Sequence, residues 1–217
     1  MLPWQQTDRP WSDFDAVVIR STWDYWKHLP DFVSVLEQIN EKTRLANPLK
    51  LVRWNLEKTY MRDLTENRGI SIVPTLWADS LQTESFKDFQ ERLDSRDIVI
   101  KPVVGGNGEG VVRISPDKSM AYLRRVAEWY KDRPFMVQPF ISSALKHGEH
   151  SLFFFNGVYS HAISKVPAEG EFRSQEERGA RIKMCSPGDG LLKSAQDTVD
   201  SMDSLPLYAR VDLVVGP

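Results

Sequence analysis

Residues 98–114, IVIKPVVGGNGEGVVRI, constrain this chain more than any other stretch. Ile98, Val99 and Ile100 form a β-branched apolar run, which predicts a strand. Lys101 places a charge inside that run, and a charge there needs an anionic partner or a route to water. Pro102 ends regular ladder hydrogen bonding. Gly105, Gly106, Asn107, Gly108, Glu109 and Gly110 follow, and Val111 to Ile114 reads as the returning strand. The pattern predicts a hairpin with a long glycine-rich tip and a lysine at its base. Glycines let backbone N–H groups come close to a ligand and turn toward phosphate oxygens. The order of residues excludes a P-loop, since the lysine precedes the glycines. It also excludes a Rossmann turn, since a strand and not a helix follows them. Taken alone, the stretch fits a flexible hairpin whose lysine reaches water as well as it fits a phosphate clamp.

The remaining elements are read from periodicity. Residues 1–13, with two prolines, are expected as a loop or partial element. Asp15 to Arg20 reads as a short buried strand of the parallel kind, apolar without alternation. Arg20, Ser21, Asp24 and Tyr25 stand at its C-terminal end, where α/β sheets bind ligands. They are candidates to face a substrate; the alternative is that Thr22 or Asp24 caps the next helix and the aromatics pack. Leu29 to Asn40 is a helix with Phe32, Val35, Leu36 and Ile39 on one face. Asn55 to Asn67 is expected as a helix capped by Asn55, with Leu56, Tyr60 and Leu64 inward and Lys58 in its first turn. A cation there opposes the helix dipole unless an anion lies nearby. Strands are expected at 69–75 and 135–141, the latter interrupted by Pro139. Helices are expected at 85–93, 119–131 and 197–204. Residues 142–148 are expected as a polar loop. Ser151 to Phe155 and Val158 to Val166 form a hairpin through Asn156-Gly157, and 167–180 is expected as a polar, mobile loop. In Tyr208 to Val215, Ala209, Val211 and Leu213 face one way and Arg210 and Asp212 the other, a pairing that suits a charged site.

Composition removes other classes. Lys+Arg 28 against Asp+Glu 30 gives −2, so the seven tryptophans lack the basic surplus of a nucleic-acid surface. The same balance gives no pull toward an anionic membrane, and no apolar stretch approaches the ~20 residues of a membrane-spanning helix. The single cysteine, Cys185, excludes an internal disulfide and a cysteine-rich zinc site. It suits a reducing cytoplasm, the expected location. Hydrophobic residues at 41% and charged residues at 27% describe a soluble globular chain.

Eight motifs in register then resemble the ATP-grasp superfamily, in its glutathione-synthetase-like and D-cycloserine-forming ligase branches. They are RSTWDY at 20–25, NPxxxxRWNxEKxY at 47–60, VIKPxxGGxGEGV at 99–111, QPFI at 138–141, GEHS at 148–151, SHAISKVP at 160–167, GEFRxQ at 170–175 and ARVD at 209–212. The resemblance implies an α+β ATP-grasp fold, two α+β subdomains clamping ATP. Its parts would be a partial N-terminal α/β domain and linker at 1–75, a central lid at 76–141 and a C-terminal subdomain at 142–217. It implies that Lys58 and Lys101 contact phosphates beneath the loop of Gly105, Gly106, Gly108 and Gly110. Phe140 and Ile141 would bind the adenine edge through their backbone, with Gln138 just before them, and Glu149 would bind the ribose. Lys165, Arg173 and Arg210 would be catalytic, and Asp212 would hold Mg²⁺. Arg20, Ser21, Asp24 and Tyr25 would bind the acceptor substrate.

The implied activity is ligation of a small-molecule carboxylate to an amine or related nucleophile, with Mg·ATP and an acyl phosphate. The implied partners are those small molecules, with no nucleic acid and no membrane, and a homodimer is admitted. Family chains carry a first strand and helix before residue 15 and a metal-binding strand after ARVD. On that pattern both outer subdomains are expected to be truncated. The alternative is therefore an ATP-binding module or gene fragment without ligase turnover.

Overall fold

The structure is a computed structural model and describes residues 2–6 and 10–216. The loop expected over 1–13 falls partly outside those residues. Among the described residues three sheets, each with its own apolar core, follow one another along the chain.

The first sheet pairs β1 (Ala16–Val18) in parallel with β2 (Arg44–Ala46), Val17 opposite Leu45. Between them runs α1 (Leu29–Lys42), which buries Phe32, Val35, Leu36 and Ile39 against Trp11 and Leu45, as its spacing predicts. The expected buried strand is not buried. Ala16 is exposed and Val18 is 45% exposed, while Val17 packs inward. Alternate residues of a strand point to opposite faces, and α1 covers only one of them.

The helix expected over 55–67 is two helices, α2 (Leu49–Leu56) and α3 (Tyr60–Glu66). Glu57 between them is extended, with φ −115° and ψ 137°. The break has a tertiary cause: the Lys58 N–H donates to the Val103 carbonyl at 2.9 Å instead of continuing a helix. Gly69, at φ +68°, reverses the chain after α3.

The second sheet has the order β3-β6-β4-β5, all antiparallel. Its strands are β3 (Leu76–Ala78), β4 (Ile98–Pro102), β5 (Val112–Ile114) and β6 (Phe135–Pro139), and the helices α4 (Ser85–Arg92) and α5 (Met120–Tyr130) lie between them in sequence. The strand expected at 69–75 begins only at Leu76, past Pro74, whose ring supplies no N–H to a ladder. Pro139 ends β6, and β6 is internal to the sheet; the proline is tolerated because it stands at the strand's last position. One face carries Ile98, Ile100, Ile114, Phe135 and Val137 into a core with α4 and α5. The other face carries Lys101.

The third sheet has the order β10-β7-β8-β9. β7 (Glu149–Phe155) and β8 (Val158–Val166) turn through Asn156 and Gly157, at φ 49° and 78°. Two positive φ values in sequence are what a tight hairpin needs, and Asn-Gly supplies them at least strain. Before β7, α6 (Ser143–His147) replaces the expected polar loop. β9 (Arg181–Cys185) lies outside the expected elements although Arg181, Ile182, Lys183 and Met184 alternate polar with apolar; the run is short, and Ile182 and Met184 remain exposed. α7 (Asp189–Asp200) begins earlier than expected and packs Ala195 and Val199 on Leu152, Phe154 and Ala162. β10 (Tyr208–Leu213) packs Ala209, Val211 and Leu213 on that core. No helix among the described residues is long and apolar enough to cross a membrane.

Candidate active site

The charged groups fall into two neighbouring clusters. The first lies under the glycine hairpin. β4 places Lys101 on the sheet face away from the core, where its ammonium donates to Gln138 Oε1 at 2.8 Å. Gln138 is only 3% exposed, and its Nε2 donates to Thr75 Oγ1 at 2.9 Å. The glutamine therefore orients Lys101, with both ends of its amide occupied. Lys58, set by the break between α2 and α3, donates to the carbonyls of Pro102 at 2.9 Å and Gly105 at 3.2 Å. Burial, with repulsion from Lys101, lowers the Lys58 pKa to about 8. Burial also lowers the Lys101 pKa, against the pull of Glu149. Neither ammonium has a carboxylate within ion-pair distance among the described residues.

The second cluster lies on the third sheet. Register puts Glu149 of β7 opposite Lys165 of β8, and Ser151 opposite Asp212 of β10. Lys165 pairs with Glu149 and stands 3.8 Å from Asp212 Oδ1. Arg210 and Asp212 share one face of β10. The guanidinium binds the carboxylate twice, Nε to Oδ1 at 2.9 Å and Nη2 to Oδ2 at 2.8 Å. The Ser151 hydroxyl donates to Asp212 Oδ1 at 2.5 Å. Burial works to raise the Asp212 pKa; Arg210, Lys165 and Ser151 outweigh it and hold it low. Tyr60 joins this cluster. Its pKa is pushed up to about 12 by burial, then by the charges of Asp212, Tyr25 and Glu149.

The glycine tip is packed on three sides. A side chain at Gly106 would meet the Trp26 ring at 3.0 Å, and one at Gly110 (φ +70°) would run into Trp129. One at Gly108 (φ +66°) would meet Gln175 Oε1 at 3.0 Å and Arg173 Cδ at 3.3 Å. Arg173 is itself fixed by Glu171, Nε to Oε1 at 3.0 Å and Nη2 to Oε2 at 2.8 Å. Chiefly that contact holds the Glu171 pKa down to about 2. The loop expected to be polar and mobile is folded against the glycines. A cavity of about 370 Å³ beside them is lined by Trp26, Lys27, Glu109 and Trp129, and by none of Lys58, Lys101, Lys165 or Asp212.

After β6, the Phe140 N–H donates to the Asp97 carbonyl at 2.8 Å and the Ile141 carbonyl accepts from Ala144 at 3.1 Å. The four residues expected at the acceptor site separate. Tyr25 is half-buried, donates to the Leu56 carbonyl at 3.4 Å and couples to Tyr60. Ser21 and Arg20 are exposed, with Arg20 6.0 Å from the centre of the Tyr208 ring. Asp24 accepts from Trp4 Nε1 at 2.8 Å and Gln5 Nε2 at 2.7 Å, so its carboxylate anchors the N-terminal segment. The Trp4 hydrogen bond is the main reason its pKa is lowered.

Sequence reasoning passed over Tyr60 and Glu171. Tyr60 follows Lys58 by two residues but reads as an inward helix position. Glu171 stands two residues before Arg173, and that spacing in an extended segment was the available signal.

The profile of the "Prokaryotic glutathione synthetase, ATP-grasp domain" family matches residues 64–193. The chain belongs to that ATP-grasp family. Residues 1–47 match the "D-cycloserine synthetase DcsG, N-terminal domain". Cycloserine biosynthesis protein DcsG of Streptomyces lavendulae is 36% identical over 75% of this chain and 55% of its own length. Glutathione synthetase of Mesorhizobium japonicum is 26% identical over 79% of this chain and 52% of its own. The chain thus spans about half the length of these relatives. The crystal structure of D-cycloserine synthetase DcsG superposes with a TM-score of 0.80 at 29% identity, covering 98% of this chain and 75% of that one. D-alanyl-alanine synthetase A from Vibrio cholerae, at 17% identity and a TM-score of 0.65, shares the ATP-grasp fold over 92% of this chain and 62% of its own.

Proposed function

We propose that the chain serves an ATP-dependent ligase that joins a small-molecule carboxylate to an amine or related nucleophile. The observation that carries this reading is the pair Lys58 and Lys101. Two ammonium groups, half-buried and without a carboxylate, converge under a glycine loop. Such an arrangement is costly unless an anion completes it, and a triphosphate is an anion of suitable charge.

In this reading a carboxylate oxygen attacks the γ-phosphorus and the bond from that phosphorus to the β-bridging oxygen breaks. ADP departs with the electron pair, leaving an acyl phosphate. The nucleophile then attacks the carbonyl carbon, loses a proton and expels phosphate. Lys58 and Lys101 hold the phosphates, Lys165 and Arg210 neutralise the group in transfer, and Arg173 steadies the acyl phosphate. Among the described residues no group of three or more His, Cys, Asp or Glu stands ready for a metal. Asp212, with Glu149 joined to it through Lys165, nevertheless fits Mg²⁺, which uses one or two carboxylates together with phosphates and water. The ion would supply charge neutralisation. The reading draws support from the family, from the similarity to the glutathione synthetase of Mesorhizobium japonicum and from the likeness to the D-cycloserine synthetase DcsG structure.

The test combines Mg·ATP calorimetry with a hydroxylamine trap across a panel of amino and hydroxy acids. The expected result is ATP binding and acid-dependent hydroxamate with matching ADP. Absence of ATP binding, or ADP release indifferent to every acid, would count against it.

A further inference from the structure

Arg113 of β5 is opposite Val99 of β4, and Val99 is opposite Gln138 of β6. Directly paired residues project from the same face of a sheet. Arg113 therefore shares the face that bears Lys101 and Gln138, away from the core with α4 and α5. Its guanidinium is fixed from two directions. Asp97 binds it with Nε 2.9 Å from Oδ1 and Nη2 2.5 Å from Oδ2. The Phe140 ring lies beneath it, 3.7 Å from Cζ to the ring centre. The same Asp97 accepts the Phe140 N–H through its backbone carbonyl. Phe172, next to Arg173, meets the Phe140 ring edge-on at 6.2 Å. Arg113 thus supports the ring, and Asp97, its ion-pair partner, holds the amide through its own backbone; a planar guanidinium is suited to stack and form a fork at once.

We infer that Arg113 is a positioning residue that, with Asp97, holds Phe140 in register to discriminate between purine bases. The inference rests on the nucleotide reading above. The Phe140 N–H points at Asp97, so the Pro139 carbonyl of the same trans peptide points the opposite way; with the Ile141 N–H, two residues on, it would present an acceptor and then a donor. Adenine offers an amino donor beside a ring acceptor, whereas guanine offers an oxo acceptor beside a ring N–H. The match to adenine and the clash with guanine both require the strand end to stay in place.

The experiment measures ATP and GTP affinity by calorimetry for the full chain, Arg113→Leu, Arg113→Lys and Asp97→Asn, with circular dichroism to confirm folding. Arg113→Leu is expected to weaken ATP about tenfold and GTP less than about threefold, in line with a desolvated cation–aromatic contact. Arg113→Lys should fall between the two, and Asp97→Asn should lower the ATP to GTP ratio in the same direction. A folded Arg113→Leu with an unchanged ratio overturns the inference, as does equal loss of both nucleotides. Should Arg113→Leu not fold, Asp97→Asn decides by the same ratio. A parent chain that binds neither nucleotide overturns the nucleotide reading and this role with it. A parent chain that binds ATP, with the ratio unmoved in the variants, overturns the role of Arg113 alone.

Discussion

The lysine cluster on the second sheet and the mixed cluster on the third are neighbours built on opposite principles. Lys58 and Lys101 donate only to neutral oxygens, those of two carbonyls and one amide. Their burial is uncompensated, and it shows in the lowered pKa of both. Lys165 and Arg210, by contrast, stand against Glu149 and Asp212. The first cluster gains by accepting an anion from outside, and nothing in the protein has to let go. In the second, a ligand must compete: an anion with the carboxylates for Lys165 and Arg210, a cation with Arg210 and Lys165 for Asp212. Under the proposed function, the contrast would put affinity on the second sheet and ion-dependent chemistry on the third.

Replacing one unpaired lysine should break the comparison most sharply. Lys101→Met is expected to weaken Mg·ATP by about a hundredfold or more, the scale of one or two charge-assisted hydrogen bonds. Far-UV circular dichroism should be unchanged, and parent-like ATP affinity would remove the second sheet from nucleotide binding. Asp212→Asn is expected to act differently. It should reduce the Mg²⁺-dependent part of ATP binding by about tenfold, as one hard oxygen ligand is lost. Metal-free ATP binding should hold or improve, because a negative charge has gone. Equal losses with and without Mg²⁺ would erase the distinction between the clusters.

The two clusters were not equally legible. Lys165, Glu149, Arg210 and Asp212 sit on long strands, where alternation fixes which residues share a face; ARVD already placed Arg210 and Asp212 together. Lys58 resisted the same treatment. Helical periodicity ran Leu56, Tyr60 and Leu64 into one helix, but a long-range hydrogen bond to Val103 breaks that helix at the lysine. The anomaly visible in sequence, a cation in a helix's first turn, drew attention to Lys58, but its surroundings come from the tertiary break and not from a helix dipole. Periodicity also cannot show partners distant in sequence, and so the hydrogen bonds from Trp4 and Gln5 to Asp24 were not legible. The β1 strand misled because an apolar run states what a strand could bury, while neighbouring elements decide how much of it is covered.

The smallest expected effect tests the lysine cluster by pH. The Lys58 pKa in the free protein is about 8, against an ordinary 10.5. Below pH 8 the ammonium is charged and ready for a phosphate. Above it, the free protein has lost the proton, and a bound phosphate must recover it. ATP affinity should therefore decline as pH rises through about 8, by up to tenfold per unit until the higher pKa of the complex is passed. Over pH 8 to 9 a fall of about fivefold is expected, with proton uptake on binding visible as a dependence of the calorimetric heat on buffer ionisation. The stability of the free protein should move the other way. Between about 8 and 10.5 the unfolded chain carries the proton that the folded chain has shed, so the Lys58 contribution rises with pH. Lys58→Arg stays charged throughout and should flatten the binding profile. Lys101, lowered in the same direction, leaves a residual slope of the same sign. An ATP affinity that is flat from pH 7 to 9 in the parent chain would mean that Lys58 is already paired with a charge, and the contrast between the two clusters would fail at its first member.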